Sequence, residues 1–146
     1  MNRILIALLS LLLAVACREP LSTEQFITGH GPYVFSIDLS DTCARYDFDL
    51  YTALDGSREQ IQALQGVLLR AEWRTPSDSL FAEKVYLPLT GDGRARTSRQ
   101  IYEPYREGMV PAQAGLWTLT IRQEDRSQVV PMRGLGLVVK KTYGTR

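Results

Sequence analysis

Two carboxylates, Asp47 and Asp49, have the spacing that a chemically useful pair would need. On a β-strand they would share one face and lie about 7 Å apart, since each residue advances a strand by roughly 3.3 Å. Such a pair suits the start of a calcium site or acid–base chemistry. Nothing nearby in the sequence supplies the other oxygen ligands that calcium needs, so a solvated outer strand face is the favoured interpretation.

His30 and Cys43 are weaker candidates for chemistry than the carboxylate pair. His30, the one histidine of the chain, lies between Gly29 and Gly31 and has no partner at a ligand or catalytic spacing. Cys43 is expected to be a small buried or half-buried residue and not a nucleophile. Because no G-x-S-x-G motif and no metal-ligand spacing occurs, we expect no catalytic residue, no metal, no cofactor and no enzymatic activity.

Cys17 has the clearest chemistry. One positive charge, Arg3, precedes an uncharged run of 13 residues from Ile4 to Ala16, which ends in small residues directly before Cys17. This is the pattern of a signal peptide, and a cysteine at the cleavage point predicts a bacterial lipoprotein signal over residues 1–16. The alternatives are an ordinary secretory signal or a transmembrane helix, although a helix needs about 20 apolar residues to span a bilayer.

In a lipoprotein, Cys17 would carry a diacylglyceryl thioether, and its new amino group would be acylated, as by palmitate. Three acyl chains hold a protein in the membrane far more firmly than the single chain that binds only marginally. Arg18 follows Cys17, and the aspartate that would retain the protein at the inner membrane is missing. We therefore expect an outer-membrane location, with the periplasmic and surface faces both open.

Composition limits the remaining 130 residues, 17–146, to one domain. Loss of Arg3 leaves 16 of the 17 Lys and Arg residues against 16 Asp and Glu. This neutral, mixed charge argues against nucleic acid as a partner, because nucleic-acid binding requires clustered Lys and Arg. Residues 17–32 are polar and broken by turn residues, which predicts a lipidated tether without a packed structure.

Alternation of apolar and polar residues predicts seven strands in residues 33–146. They are 33–39, 45–53, 67–75, 80–89, 96–107, 116–122 and 132–141. Ser57 to Gln65 is either a short helix, with Ser57 and Gln60 forming a capping box, or a loop. The pattern predicts an all-β fold, a single antiparallel β-sandwich with immunoglobulin-like or jelly-roll topology. Trp73 and Trp117 fall on the apolar side of their strands and are expected in its core.

Several stretches taken together resemble the gliding-motility lipoprotein H (GldH-like) family. They are Cys17, YVFSIDLSDT at 33–42, RYDFDLYTAL at 45–54, FAEKVYLPLTGDGR at 81–94, QIYEPY at 100–105, PAQAGLWTLTI at 111–121 and MRGLGLVV at 132–139. The resemblance implies an outer-membrane lipoprotein associated with gliding motility and the secretion machinery tied to it. It supplies no catalytic motif.

The function expected from these features is that of an accessory lipoprotein that contacts other envelope proteins of a gliding or secretion complex. Tyr102, Tyr105 and Arg106 are the candidate partner contacts, because Tyr and Arg are enriched in interface cores. They are equally compatible with simply covering the sandwich. The alternative function is glycan binding, which would be favoured if Trp73 or Trp117 were exposed on a flat face.

Overall fold

The computed structural model describes residues 21–89, 98–125 and 130–144. These residues form eight strands and one short helix. In chain order they are β1 (Ser22–Thr28), β2 (Tyr33–Asp38), β3 (Arg45–Asp55), α1 (Arg58–Gln62), β4 (Gly66–Arg74), β5 (Leu80–Pro88), β6 (Ser98–Met109), β7 (Leu116–Gln123) and β8 (Met132–Thr142). Two four-stranded antiparallel sheets pack face to face, so the predicted antiparallel sandwich is confirmed.

The order of strands within the sheets defines the topology. Sheet A has the order β1-β8-β3-β6, and sheet B has the order β2-β7-β4-β5. Strands of the first half thus pair with strands of the second half in a nested series: β1 with β8, β2 with β7, β3 with β6 and β4 with β5. This is the jelly-roll arrangement of an eight-stranded double sheet, one of the two predicted alternatives.

Strict alternation explains why these segments form strands with one buried face. In β2, Tyr33, Phe35 and Ile37 are buried while the residues between them are exposed, and β7 repeats the pattern with Trp117, Leu119 and Ile121. Apolar side chains from both sheets meet in one core. Trp73 and Trp117 are only 4% and 5% exposed, so their predicted core position is confirmed.

The predicted tether at 17–32 is wrong for Ser22–Thr28, which forms β1. This strand pairs with β8 along its whole length, from Ser22 opposite Lys140 to Thr28 opposite Gly134. An edge strand needs backbone pairing on one side only, so its polar side chains can remain in water while Ile27 packs against the core. Because its sequence is mostly polar, β1 was not recognised as a strand.

The short helix has the predicted capping box. Ser57 Oγ accepts a hydrogen bond from the Gln60 backbone N–H at 3.2 Å, and Gln60 Oε1 accepts one from the Ser57 N–H at 2.9 Å. Ile61 is fully buried and fixes α1 to the core, which compensates for the low intrinsic stability of so short a helix.

Cys43 is exposed, so the expectation of a buried or half-buried thiol is wrong. It lies in the turn between β2 and β3, where the Asp41 carboxylate accepts a hydrogen bond from its backbone N–H at 3.0 Å. The buried position at this point belongs to the next residue, Ala44.

No helix among the described residues is long and apolar enough to cross a membrane. The predicted signal peptide at 1–16 and the predicted lipidation site Cys17 lie outside the described residues.

Candidate functional site

One side of the sandwich brings together the two edge strands β5 and β6. Within the described residues, β5 is hydrogen-bonded only to β4, and β6 only to β3, so each presents a free edge. A cleft of about 350 Å³ opens between them, hereafter the β5–β6 cleft. Its walls are mostly apolar and include Trp73, Phe81, Met109, Val110 and Trp117, with Glu83 and Arg106 as its charged pair.

A chain of hydrogen bonds crosses this cleft. Trp73 Nε1–H in sheet B donates to the Tyr105 hydroxyl in sheet A at 2.7 Å, and that hydroxyl donates to Glu83 in sheet B. Arg106 Nη2 donates to the same Glu83 oxygen, Oε1, at 2.7 Å. The Tyr105 ring also stacks on Trp73, with 6.2 Å between ring centroids and 14° between planes. The edges of the two sheets are therefore held in a defined relative position.

A bulge in β6 places two consecutive side chains at the cleft. Pro104 pairs with Asp49 and Arg106 with Phe48, so Tyr105 is an extra residue on its strand. Next to it, Asp47 accepts a hydrogen bond at 2.6 Å from the backbone N–H of Gly108, which has a left-handed φ of 63°. The bulge lets consecutive residues, Tyr105 and Arg106, both reach Glu83 on the opposite sheet.

Electrostatics fix the protonation states in the cleft. Burial, reinforced by the hydrogen bond to Glu83, raises the pKa of Tyr105 well above its ordinary value. Burial alone would raise the pKa of Glu83, but the hydrogen bonds and charge from Tyr105 and Arg106 outweigh it and lower that pKa. At neutral pH, Tyr105 is a protonated donor and Glu83 a carboxylate. The pair therefore suits binding rather than proton transfer.

The structure does not bring the three candidate contact residues to one patch. Tyr105 is half-buried and, with Arg106, belongs to the β5–β6 cleft. Tyr102 lies on the outer face of sheet A, where it is 54% exposed and stacks on Tyr51 with 4.9 Å between ring centroids. Tyr102 and Tyr105 are three positions apart and so fall on opposite faces of the strand, as period-two alternation requires, while the bulge brings Arg106 to the side of Tyr105. A role of these residues in partner contact remains a prediction.

Tyr102 is part of a second feature, the outer aromatic row, made of Phe26, Tyr51 and Tyr102. The three residues fall in one line across sheet A, with Gly136 of β8 between the first two. Phe26 stacks on Tyr51 at 5.5 Å between centroids. A Cβ at Gly136 would collide with the Tyr51 ring, so the missing side chain lets the ring cover β8. Gly134 and Gly136, two positions apart in β8, were the only sign of this row in the sequence.

Each member of the predicted carboxylate pair has its own partner. Asp47 binds the Gly108 backbone, and Asp49 accepts a hydrogen bond from Lys140 Nζ at 2.5 Å. Both are half-buried, so the expected solvated outer face is only partly solvated. Across residues 21–89, 98–125 and 130–144, no three His, Cys, Asp or Glu side chains group closely enough to hold a metal ion. His30 is exposed in the turn after β1.

A shallow depression of about 540 Å³ lies on the opposite side of the sandwich, between β1 and the turn after β2. Asp41 lies at its rim and accepts a hydrogen bond from the Tyr143 hydroxyl at 2.7 Å. Lys141 Nζ lies 3.1 Å from the same carboxylate. The hydrogen bonds from Tyr143 and Lys141 lower the pKa of Asp41 to about 2. These contacts tie the C-terminal strand to the turn after β2.

Neither a comparison with protein-family models nor one with curated proteins finds a match for this chain. The resemblance to the gliding-motility lipoprotein H family therefore remains a prediction from the residues that carry it.

Proposed function

We propose that this protein is a lipid-anchored outer-membrane lipoprotein that serves as an accessory component of a gliding- or secretion-type envelope machinery, and that it contacts its partner through the β5–β6 cleft. The observation that carries the proposal is the cleft itself. It combines two free strand edges, apolar walls and a charged pair whose geometry is already fixed. Interfaces with other proteins use this combination of an apolar centre and oriented polar groups.

An extended segment of a partner would fit the free edge of β5. Backbone pairing with an exposed strand supplies affinity, while pockets for alternate side chains supply specificity. Leu80, Phe81 and Ala82 are all exposed at the start of β5, so this part of the edge is accessible. Phe81 would contact an apolar side chain of the partner, and the Glu83–Arg106 pair would orient a polar one.

Photo-crosslinking tests the contact site. A photoreactive phenylalanine analogue at Phe81 should crosslink to one envelope protein of the machinery in the host. The same analogue at Val34 is the matched control, because Val34 is similarly exposed but lies on β2, the edge of sheet B remote from β5. Equal crosslinking from the two positions, or none from Phe81, would refute the cleft as the contact site.

A complementation experiment links that contact to function. Phe81→Ser in a deletion strain should reduce surface-protein secretion or spreading, whereas Val34→Ser should support both. The Phe81→Ser protein must be present at the wild-type level and melt within a few degrees of wild type, since its side chain is exposed. Full function of folded Phe81→Ser would contradict the proposal.

The anchor is tested separately at Cys17. Cys17→Ser should abolish incorporation of labelled fatty acid and move the protein into the soluble envelope fraction, because no acyl chain would then hold it in lipid. Cys43→Ser is the matched control and should leave both measurements unchanged. If the Cys17→Ser variant stayed in the membrane fraction, the proposed lipid anchor would be refuted.

Glycan binding is a second candidate, favoured by the outer aromatic row. Trp73 and Trp117 are buried and give it no support, but Tyr102 offers a half-exposed ring at the end of the row, beside the Gln100 amide that bonds its hydroxyl at 3.1 Å. Binding on a glycan array that is lost in Tyr102→Ala and kept in Phe81→Ser would favour this function. An array without signal would exclude the glycans it carries.

A further inference from the structure

Exposed apolar side chains concentrate at one end of the sandwich. This end, hereafter the Leu21 end, consists of Leu21, the turns 39–44 and 75–79, the loop 110–115 and Tyr143. Backbone and side-chain hydrogen bonds join its parts: Lys141 N–H to Leu21 O at 2.7 Å, Leu39 N–H to Gly115 O at 2.9 Å and Tyr143 Oη to Asp41 at 2.7 Å. The strand register places the start of β7 and of β5 at this same end.

Of the eleven large apolar side chains that are strongly exposed in the described part of the chain, five lie at or beside the Leu21 end. They are Leu21, Leu80, Val110, Leu116 and Tyr143. At the opposite end, the described segments 29–32 and 56–65 contain none of the eleven. Exposed apolar side chains gathered in this way mark a surface that another phase or molecule covers.

The charges at this end balance. Asp78 is ion-paired with Arg74 at 2.9 Å and Asp41 with Lys141 at 3.1 Å, while Asp38 at the end of β2 and Arg45 at the start of β3 add one charge of each sign. A surface of this kind has no excess charge to attract anionic lipid or a strongly charged partner. Its affinity for any neighbour must come mainly from the apolar side chains.

The short stretch of chain between Cys17 and Leu21 indicates which neighbour covers this end. Leu21 is four residues from Cys17, and four residues span at most about 14 Å even when fully extended. β3 and β8, with 11 residues each, make the sandwich about 37 Å long. If Cys17 is acylated, Leu21 can lie at most about 14 Å from the lipid surface. That distance is less than half the length of the domain.

We propose that the Leu21 end rests on the lipid surface that holds the anchor, with Leu21, Leu80, Val110, Leu116 and Tyr143 in contact with the headgroup region. This inference depends on the proposed lipid anchor at Cys17. It gives the domain a fixed orientation, in which the long axis of the sandwich stands away from the membrane and the turns 29–32 and 56–65 point away from the lipid. The β5–β6 cleft would open close to the membrane, because Val110 belongs to both surfaces.

The test attaches the domain to lipid chemically, so that it does not depend on acylation in the cell. A chain of residues 17–146 carrying Cys43→Ser is coupled through Cys17 to a maleimide phospholipid in phosphatidylcholine nanodiscs. Hydrogen–deuterium exchange is compared with that of the same chain capped at Cys17 and mixed with empty nanodiscs. We expect slower exchange in 75–79 and 110–116 of the coupled protein, unchanged exchange in 29–32 and 56–65, and little effect of salt on either.

Two variants show whether the apolar side chains cause the protection. Leu116→Ser should reduce the lipid-dependent slowing about tenfold, because even partial burial of a leucine is worth about one tenfold step in an equilibrium. Val34→Ser removes an equally exposed apolar side chain far from the Leu21 end and should leave the slowing unchanged. Identical exchange of the coupled and capped proteins would overturn the inference and leave this end for a protein partner. Failure of fatty-acid labelling in the cell would instead refute the proposed lipid anchor at Cys17.

Discussion

Replacing Trp117 with alanine should destabilise the sandwich more than any change at its surface. Trp117 is 5% exposed, meets Trp73 edge to face with 6.2 Å between ring centroids, and donates its Nε1–H to Gln113 O at 3.0 Å. Truncation of a buried tryptophan typically costs about 3–5 kcal/mol. The 112 residues that the structure describes correspond to an unfolding entropy of about 0.24 kcal/mol/K, so the melting temperature should fall by about 13–21 °C.

Thermal unfolding followed by circular dichroism at neutral pH measures this change. Phe81→Ala is the matched control, since it truncates an aromatic side chain of another strand of sheet B that is 58% exposed, and surface changes usually stay within about 0.5 kcal/mol. If Trp117→Ala melted within two or three degrees of wild type, the ring would not be packed in the core and the assignment of strand faces in sheet B would be wrong.

Two further changes test the outer aromatic row and the cleft. Gly136→Ala should cost about 1–3 kcal/mol in chemical unfolding, because its Cβ would displace the Tyr51 ring, whereas Gly144→Ala should be neutral, because a Cβ there meets nothing. Glu83 should make the free energy of unfolding depend on pH, because the pKa of Glu83 is lowered in the fold. The stabilisation from Glu83 is complete above the ordinary glutamate pKa of 4.5 and is lost as the pH falls below that value. Glu83→Gln should therefore reduce the loss of unfolding free energy below pH 4.5, by less than about 1 kcal/mol because the carboxylate is partly exposed. If the variant lost stability in acid as steeply as wild type, the lowered pKa of Glu83 would be contradicted.

Much of the sandwich could be predicted from the sequence, because burial of one strand face leaves a period-two pattern. Where the structure describes their ends, the seven predicted strands agree with observed ones to within two residues. The core positions of Trp73 and Trp117 follow from the same pattern. The capping box of Ser57 and Gln60 was predictable because it depends on residues three positions apart.

Strand partners were harder to predict than strand positions. Alternation shows which side of a strand is buried but does not say which strand lies beside it, so immunoglobulin-like and jelly-roll arrangements remained open. β1 was missed because an edge strand can form from a polar sequence such as STEQ when β8 supplies its hydrogen bonds.

The candidate site was only partly predictable. Tyr105 and Arg106 were selected for their residue types, which favour interfaces, and both belong to the β5–β6 cleft. Their partners Glu83 and Trp73 lie 22 and 32 positions from Tyr105, a distance at which no local pattern connects residues. Alternation already places Tyr102 and Tyr105 on opposite faces, whereas the bulge that brings Arg106 to the side of Tyr105 depends on strand register, which the sequence does not display.

Pairing of β1 with β8 makes the first described strand depend on the last. Ser22 is bonded opposite Lys140, while β4 and β5 are joined by a turn of only five residues, 75–79. Contacts between residues close in sequence form at a lower entropy cost than distant ones, so the hairpin of β4 and β5 should form early and the nested pairs outside it later. β1 can join sheet A only when residues 132–142 are present. A chain exported from its N-terminus would therefore complete its fold only after almost its whole length had crossed the membrane, with the strand nearest the proposed anchor among the last to dock.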